Sequence, residues 1–371
     1  MDKKLKIAII GSRGYPYVYS GYETLVKELS ERLIKKGHKV RVYCHSSLFK
    51  KKPREVNGIE LVYTPSIETK FLSQFVNSFF SFIHVCFSKV DVVLVLNSAN
   101  GPFGILTKIF FKNTCINVDG LEWLRPKWKG LGSFYFKISS KLSTIFFDQI
   151  ITDSYEMNKL YKNKYSKNSF EIAYGSTMTD STNINILKKY NTKKNQYYLI
   201  VGRLIPDNNS ELIINGLLSS NSIKKIIIVG DVPYKDIYSQ RVKSNVNKRI
   251  IFTGYVNSQD DLTYLYRNCY AYIHGHEFGG TNPTMINALH LNCAILALDT
   301  VFNSEMLKNK EAVLFKKDVN SIANSINLFE EKYNILLKKN INYKIPIKYN
   351  WDYIVSKYLE VFRLLTNHQN R

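Results

Sequence analysis

The sequence predicts an α/β protein built as two consecutive, doubly wound parallel units, and three observations carry that reading. Short apolar runs of strand length alternate with longer amphipathic stretches. Glycine-containing loops follow several of these runs directly, at the place where parallel sheets gather their ligands. The alternation stops at a polar stretch, residues 188–196 (KKYNTKKNQ), and then begins afresh. A length of 371 residues gives each of two domains enough chain for its own core.

In the first cycle Lys6–Ile10 reads as a strand, Gly21–Lys36 as a helix, Lys39–Cys44 as a strand and Val92–Leu96 as a buried strand. Further short strands are expected at Cys115–Val118, Gln149–Thr152 and Phe170–Ala173, with helical segments between them. The second cycle runs through strand Tyr197–Val201, helix Asn209–Leu218, strands Lys225–Val229 and Arg249–Phe252, helix Ser258–Arg267, strand Ala271–Ile273, helix Pro283–Leu291 and strand Ala294–Leu298. Val313–Phe315, a helix from about Val319 and an amphipathic segment, Trp351–Leu365, complete it. The polar stretch, basic and free of Pro and Gly, is expected to be the hinge, giving domains 1–190 and 191–345 and a terminal segment 346–371.

Residues 71–87 (FLSQFVNSFFSFIHVCF) place Leu72, Phe75, Val76, Phe79, Phe80, Phe82, Ile83 and Cys86 at helical spacing, with Ser73, Gln74, Asn77, Ser78, Ser81 and His84 filling the other side. A helix lying on a membrane normally carries Lys or Arg on its polar side. That side is uncharged here, so the expectation is a core helix mostly buried on both sides, with membrane contact as the alternative. No stretch of about 20 apolar residues occurs.

Composition narrows the function classes. Hydrophobic residues make up 45% of the chain and there are only nine prolines, which excludes a disordered basic tail. The five cysteines, Cys44, Cys86, Cys115, Cys269 and Cys293, form no C-x-x-C pair and suit buried thiols in a reducing compartment. The N-terminal apolar run is too short for a secretory signal, so a cytoplasmic location is expected. The net charge is +22, with 31 basic and 15 acidic side chains in residues 1–200 against 21 and 15 in residues 201–371. Such an excess points to phosphate-bearing or membrane partners. No helix-turn-helix, zinc-finger or aromatic-sheet signature accompanies it, so no specific nucleic acid is expected.

Four segments concentrate chemistry. Gly11-Ser-Arg13-Gly14 through Gly21 joins a strand to a helix with two backbone-permissive glycines and a guanidinium, but matches neither a P-loop nor G-x-G-x-x-G. Asp119, Glu122, Trp123, Arg125, Lys127 and Trp128 gather carboxylates, cations and indoles after a strand. Gly202-Arg203 leads from a strand to a helix start with Asn208 or Asn209 as N-cap. The last, His274-Gly-His276-Glu277-Phe-Gly279-Gly280-Thr281-Asn282-Pro283, reads as an anion cradle at a helix N-terminus. His274 and His276 lack a third ligand, so no metal is expected.

These segments, IAIIGSRGYPYVYSGYETLVKELSERLIKKGHKVRVYC, INVDGLEWLRPKW, VGRLIPDNN and YIHGHEFGGTNPTMINAL, together resemble retaining family-4 glycosyltransferases of the GT-B fold, in their rhamnosyltransferase-like branch. The resemblance covers most of the chain, from Ile7 to about Leu298, in order and spacing. It implies two Rossmann-like domains flanking a cleft, with the acceptor on the first and a dTDP- or UDP-sugar on the second. It also implies a last helix that packs back on the first domain. By resemblance, Gly14, Arg203, Gly279, Gly280, Thr281, Asn282 and Asn287 would hold the donor, and Asp119 and Glu277 would serve catalysis. Arg13, Gly21, Glu122, Trp123, Arg125 and Lys127 would face the acceptor. The implied reaction moves a hexose or deoxyhexose, rhamnose foremost, to a lipid-diphosphate-linked saccharide at the inner face of the cell membrane. No cofactor is implied.

One departure matters. Asn287 stands where the branch has Glu to bind the nucleotide ribose, and loss of that charge would weaken the contact by about 1–2 kcal/mol. It opens an alternative, a catalytically silent GT-B protein that binds nucleotide sugar or glycan in an assembly complex.

Overall fold

The computed structural model describes residues 3–16, 21–67, 72–118, 120–125, 128, 130–178, 185–232 and 236–367. The chain forms two compact units, Met1–Gly175 with Ile347–Arg371, and Ser176–Pro346.

The first unit is built on an eight-stranded sheet from β1 (Lys6–Ile10), β2 (Lys39–His45), β3 (Glu55–Val56), β4 (Ile59–Thr64), β5 (Val92–Leu96), β6 (Thr114–Asn117), β7 (Gln149–Thr152) and β8 (Phe170–Glu171), in the order β3-β4-β2-β1-β5-β6-β7-β8. Every pairing is parallel except β3 with β4. Every residue of β5 is buried, as an uninterrupted V-V-L-V-L run requires when helices cover both faces. Around the sheet lie α1 (Gly21–Lys35), α2 (Leu72–Cys86), α3 (Gly104–Ile109), α4 (Leu131–Phe146) and α5 (Tyr155–Tyr165). Helix α1 buries Leu25, Val26, Leu29 and Leu33 on one stripe and stops at Gly37, whose φ of 82° lets the His38 N–H reach the Leu33 carbonyl at 3.0 Å.

Helix α2 departs from its expected burial on both sides. On its polar side Ser73, Asn77, Ser78 and Ser81 are buried and His84 is exposed; on its apolar side Phe82 and Cys86 are buried, whereas Phe75, Phe79, Phe80 and Ile83 are exposed. The polar groups have partners at the strand ends: the Asn77 amide donates to Thr64 Oγ1 at 2.7 Å and to the Cys44 carbonyl at 3.3 Å, and Thr64 Oγ1 lies 2.9 Å from Ser81 Oγ. Satisfying these buried strand-end groups fixes which side of the helix faces in. Helix α4 repeats the pattern, with Ser139, Ser140 and Ser143 buried and Phe134, Ile138 and Ile145 exposed.

The second unit has six parallel strands, β9 (Tyr197–Val201), β10 (Lys225–Val229), β11 (Ile250–Gly254), β12 (Ala271–His274), β13 (Ile295–Leu298) and β14 (Val313–Phe315), in the order β11-β10-β9-β12-β13-β14. Its helices are α6 (Asn185–Lys189), α7 (Ser210–Ser219), α8 (Ile237–Lys243), α9 (Gln259–Asn268), α10 (Pro283–His290), α11 (Val301–Met306) and α12 (Val319–Lys339). The polar stretch expected to be a hinge lies inside this unit. It forms the end of α6 and a turn in which Asn191 and Asn195 adopt left-handed φ of 44° and 58°, and the Asn195 N–H donates to the Asn268 carbonyl at 2.9 Å. The division falls earlier, between Gly175 and Ser176.

The final helix, α13 (Trp351–Asn367), belongs to the first unit and packs against α1 and β5. A side chain at Gly175 would come within 2.6 Å of the Trp351 indole, and the Asn117 amide donates to Tyr358 Oη at 2.9 Å. All five cysteines are buried thiols, and burial pushes Cys44 up to about 12.

Candidate active site

In the second sheet the strand order reverses between β9 and β12, so the loops leaving their carboxyl ends flank one crevice. The first loop carries Arg203 and the second runs from Gly275 to Asn282. Asn208 ties them together: its amide donates to the Arg203 carbonyl at 2.8 Å, and its Oδ1 lies 2.8 Å from His276 Nδ1. Asn209 donates to the Gly275 carbonyl at 2.8 Å, and the Glu277 N–H donates to the Asp207 carbonyl at 3.1 Å. Gly275 is obligatory, since a Cβ there would stand 2.4 Å from the Asn208 carbonyl oxygen. Among the described residues the half-buried Arg203 guanidinium has no hydrogen-bond or ion-pair partner.

Helix α10 begins at Pro283, and Asn282 caps it, its Oδ1 accepting from the Thr284 N–H at 3.0 Å and the Thr284 hydroxyl at 2.8 Å. Gly279, at φ 123°, Gly280 and Thr281 are buried just before the cap. Glu277 pairs with Lys317 at 2.6 Å. On α10 the Asn287 Oδ1 accepts from Ser176 Oγ at 3.1 Å and from the Thr177 N–H at 3.3 Å, so it holds the first residues of its own unit. Among the described residues its amide NH2 has no hydrogen-bond partner.

His274 is fully buried, and burial pushes its imidazole down to about 3, so the ring is neutral. Nδ1 lies 2.9 Å from Tyr272 Oη, which in turn lies 2.8 Å from Thr284 Oγ1. Among the described residues no group of three or more His, Cys, Asp or Glu could hold a metal ion.

The first sheet reverses between β1 and β5. Gly11 and Gly14, with φ of 102° and 122°, turn the chain there, and their Cβ atoms would meet the Leu96 carbonyl oxygen at 2.3 Å and Cys44 Sγ at 2.7 Å. Gly14 thus has a packing reason to be glycine. The Arg13 N–H donates to Glu23 Oε1 at 2.9 Å, and Gly21 opens α1. After β6, Glu122, Trp123 and Arg125 are all buried. Glu122 pairs with Arg125 at 2.8 Å and accepts from Trp128 Nε1 at 2.9 Å, while Lys164 Nζ lies 4.4 Å from the Trp123 ring centre. This cluster shapes the loop from within. Asp119 and Lys127 lie outside the described residues.

Two residues that sequence reading did not single out for chemistry hold the site. Of the two N-cap candidates, Asn209 precedes α7 as its N-cap residue, and Asn208 bridges the loops. Lys317 comes to Glu277 from forty positions away, and nothing local in the sequence marks it.

Residues 183–345 match the family of glycosyl transferases group 1, and residues 4–177 match a domain of unknown function, DUF1972. No curated protein matches the chain in sequence. Among solved structures, sucrose-phosphate synthase from Thermosynechococcus elongatus is similar, with a TM-score of 0.80 at 13% identity over 98% of this chain and 100% of that one. HepE of Anabaena, in complex with UDP and glucose, has a TM-score of 0.75 at 14% identity over 97% and 100%. The catalytic domain of starch synthase IV from Arabidopsis thaliana, bound to ADP and acarbose, has a TM-score of 0.70 at 12% identity over 98% and 100%. These likenesses establish the fold, two Rossmann-like parallel sheets as in GT-B enzymes.

Proposed function

We propose that this chain, whose residues 183–345 match glycosyl transferases group 1, is a GT-B glycosyltransferase that transfers a hexose or deoxyhexose with retention from a nucleotide sugar to a lipid-diphosphate-linked saccharide, rhamnose from a dTDP-sugar being the leading donor. The observation that carries the reading is Arg203, a half-buried guanidinium with no partner among the described residues, set directly after β9 at the reversal of strand order. The UDP and ADP held by HepE and starch synthase IV support a nucleotide-diphosphate donor.

In the proposed reaction the bond from sugar C1 to the diphosphate oxygen breaks as the acceptor hydroxyl oxygen bonds C1 on the same face. The hydroxyl proton passes to the leaving diphosphate. Negative charge grows on that group, and Arg203, the Gly279–Gly280 turn and the N-terminus of α10 stabilise it, supplying the charge a metal would otherwise bring. Glu277, steadied by Lys317, orients sugar hydroxyls, Asn287 offers its NH2 to the nucleotide, and the catalytic role of Asp119 follows from the family resemblance alone. The first unit receives the acceptor: Arg13 and, by the family resemblance, Lys127 serve its phosphates, while Glu122, Trp123 and Arg125 hold the loop in shape. The place of work is the inner surface of the cell membrane, in the synthesis of a surface polysaccharide such as capsule or O-antigen.

The test offers the purified chain a panel of dTDP-, UDP- and GDP-sugars with short-chain lipid-diphosphate saccharides, with and without EDTA. Retained anomeric configuration and an EDTA-insensitive rate are expected. Failure to transfer or hydrolyse any donor overturns the reading.

A further inference from the structure

The first unit carries an apolar face that its own core does not use. Helices α2, α3 and α4 lie side by side, and α2 and α4 turn their small polar residues inward. Outward stand Phe75, Phe79, Phe80 and Ile83 from α2, Ile105 and Ile109 from α3, and Phe134, Ile138 and Ile145 from α4. The residues just before or after these helices are barer still, Phe87 at 76%, Phe111 at 84% and, opening α4, Leu131 at 87%. The face is continuous: the Phe87 ring meets Phe110 edge-on at 5.0 Å, and Lys108 donates to the Ile145 carbonyl at 2.8 Å. Contiguous apolar surface of this kind marks an interaction site.

Its charge says what it meets. The three helices contain no carboxylate, and their cations, Lys108, Lys137 and Lys141, are all exposed, with Lys108 Nζ 6.0 Å from the Phe146 ring centre. Long lysine stems amid aromatic rings suit the boundary between acyl chains and anionic headgroups. A second copy of the chain fits poorly, because a two-fold interface would set two lysine-bearing faces whose helices hold no carboxylate against each other. Among the described residues no helix is long and apolar enough to cross a membrane.

Phe111 adds an independent sign. It ends α3 in a left-handed conformation, φ 50°, where its N–H donates to the Lys108 carbonyl at 3.2 Å and the Lys112 N–H donates to the Thr107 carbonyl at 2.9 Å. Glycine or asparagine ordinarily fills that place in this helix-ending motif. A phenylalanine there strains the backbone and leaves most of its side chain exposed.

We propose that the face formed by α2, α3 and α4 seats the chain on a bilayer containing anionic lipid, with the aromatic side chains entering the headgroup boundary and Lys108, Lys137 and Lys141 meeting lipid phosphates. This deepens the membrane-surface part of the function proposed above and rests on it only there.

The test is co-flotation of the full chain with vesicles of phosphatidylcholine alone or with phosphatidylglycerol. Melting temperature, UDP affinity and size-exclusion elution are followed in parallel. The wild type is expected to float with the anionic vesicles in a salt-sensitive way. The Phe79→Ser/Phe80→Ser variant should lose about tenfold or more in partitioning. Replacing Lys108, Lys137 and Lys141 with Gln should cost roughly fivefold each on anionic vesicles and nothing on neutral ones. Phe111→Gly should keep or raise the melting temperature while weakening flotation, which separates docking from folding. The proposal is overturned if the wild type does not float, if the Phe variants float equally well, or if those variants dissolve a wild-type dimer with flotation unchanged. A chain that floats yet binds no nucleotide keeps this face and removes the donor assignment instead.

Discussion

Asn208 Oδ1 lies 2.8 Å from His276 Nδ1, and through this contact the loop that carries Arg203 is fixed to the loop that carries Glu277. The same carboxamide donates to the Arg203 carbonyl, so one side chain sets the spacing of a cation and a carboxylate that the chain itself supplies from positions more than seventy residues apart. Asn208→Ala removes both bonds, worth about 0.5–1.5 kcal/mol each. If the whole of that loss fell on binding, nucleotide affinity measured by calorimetry should drop roughly five- to 150-fold, and a variant with wild-type affinity would show that the bridge is incidental.

Glu277 and Lys317 form an exposed pair, Lys317 being half open to solvent. Pairs of this kind contribute about 0–1 kcal/mol to stability. Glu277→Gln should therefore leave the melting temperature within about a degree or two while lowering kcat, since the amide cannot accept from sugar hydroxyls as a carboxylate does. Loss of stability without loss of turnover would assign the residue to the fold.

The buried pair of Glu122 with Arg125 predicts the opposite balance. Removing Glu122 alone takes the paired carboxylate from a buried guanidinium, at a cost of about 3–5 kcal/mol, whereas replacing both residues with apolar ones should cost markedly less. Chemical denaturation of the two single variants and the double variant measures this coupling directly. Additive effects would mean that the pair does not act as a unit.

Burial holds the His274 imidazole at about 3, below the ordinary value near 6.5 of the unfolded chain. Above pH ~6.5 both states are neutral and its contribution is complete; as pH falls from there toward 3 the unfolded state takes up a proton that the folded state refuses, and stability declines by about 1.4 kcal/mol per pH unit. His274→Gln should flatten that slope between pH 6.5 and 4.5 in thermal melts of the second unit. An unchanged slope would mean the ring titrates normally.

Asn287 already holds Ser176 and Thr177 with its carbonyl oxygen. In Asn287→Glu one carboxylate oxygen can keep those two bonds while the other faces the nucleotide, and donor affinity should rise several-fold. Transfer that appears only in this variant would favour the silent-binder alternative.

The strands were legible because segments such as Val92–Leu96 and Tyr197–Val201 are almost wholly buried, and a parallel sheet covered on both faces leaves an uninterrupted apolar run. Hydropathy could not say which side of α2 turns inward. Ser81 and Asn77 are drawn in by Thr64 and the Cys44 carbonyl, partners that only the folded sheet brings near. The polar stretch at 188–196 looked like a linker because asparagines in left-handed turns and a short basic helix have the composition of one. In the site, the glycines and Arg203 stood out locally, while the bond from Asn208 to His276 spans sixty-eight positions and has no local sign.

The donor assignment to Arg203 is tested most directly by calorimetric titration of UDP and dTDP into the wild-type chain and Arg203→Ala. Saturable binding by the wild type, weakened at least about tenfold in the variant with no change in melting temperature, is predicted, because the guanidinium has no partner within the described residues. Equal affinity in the two proteins would contradict it.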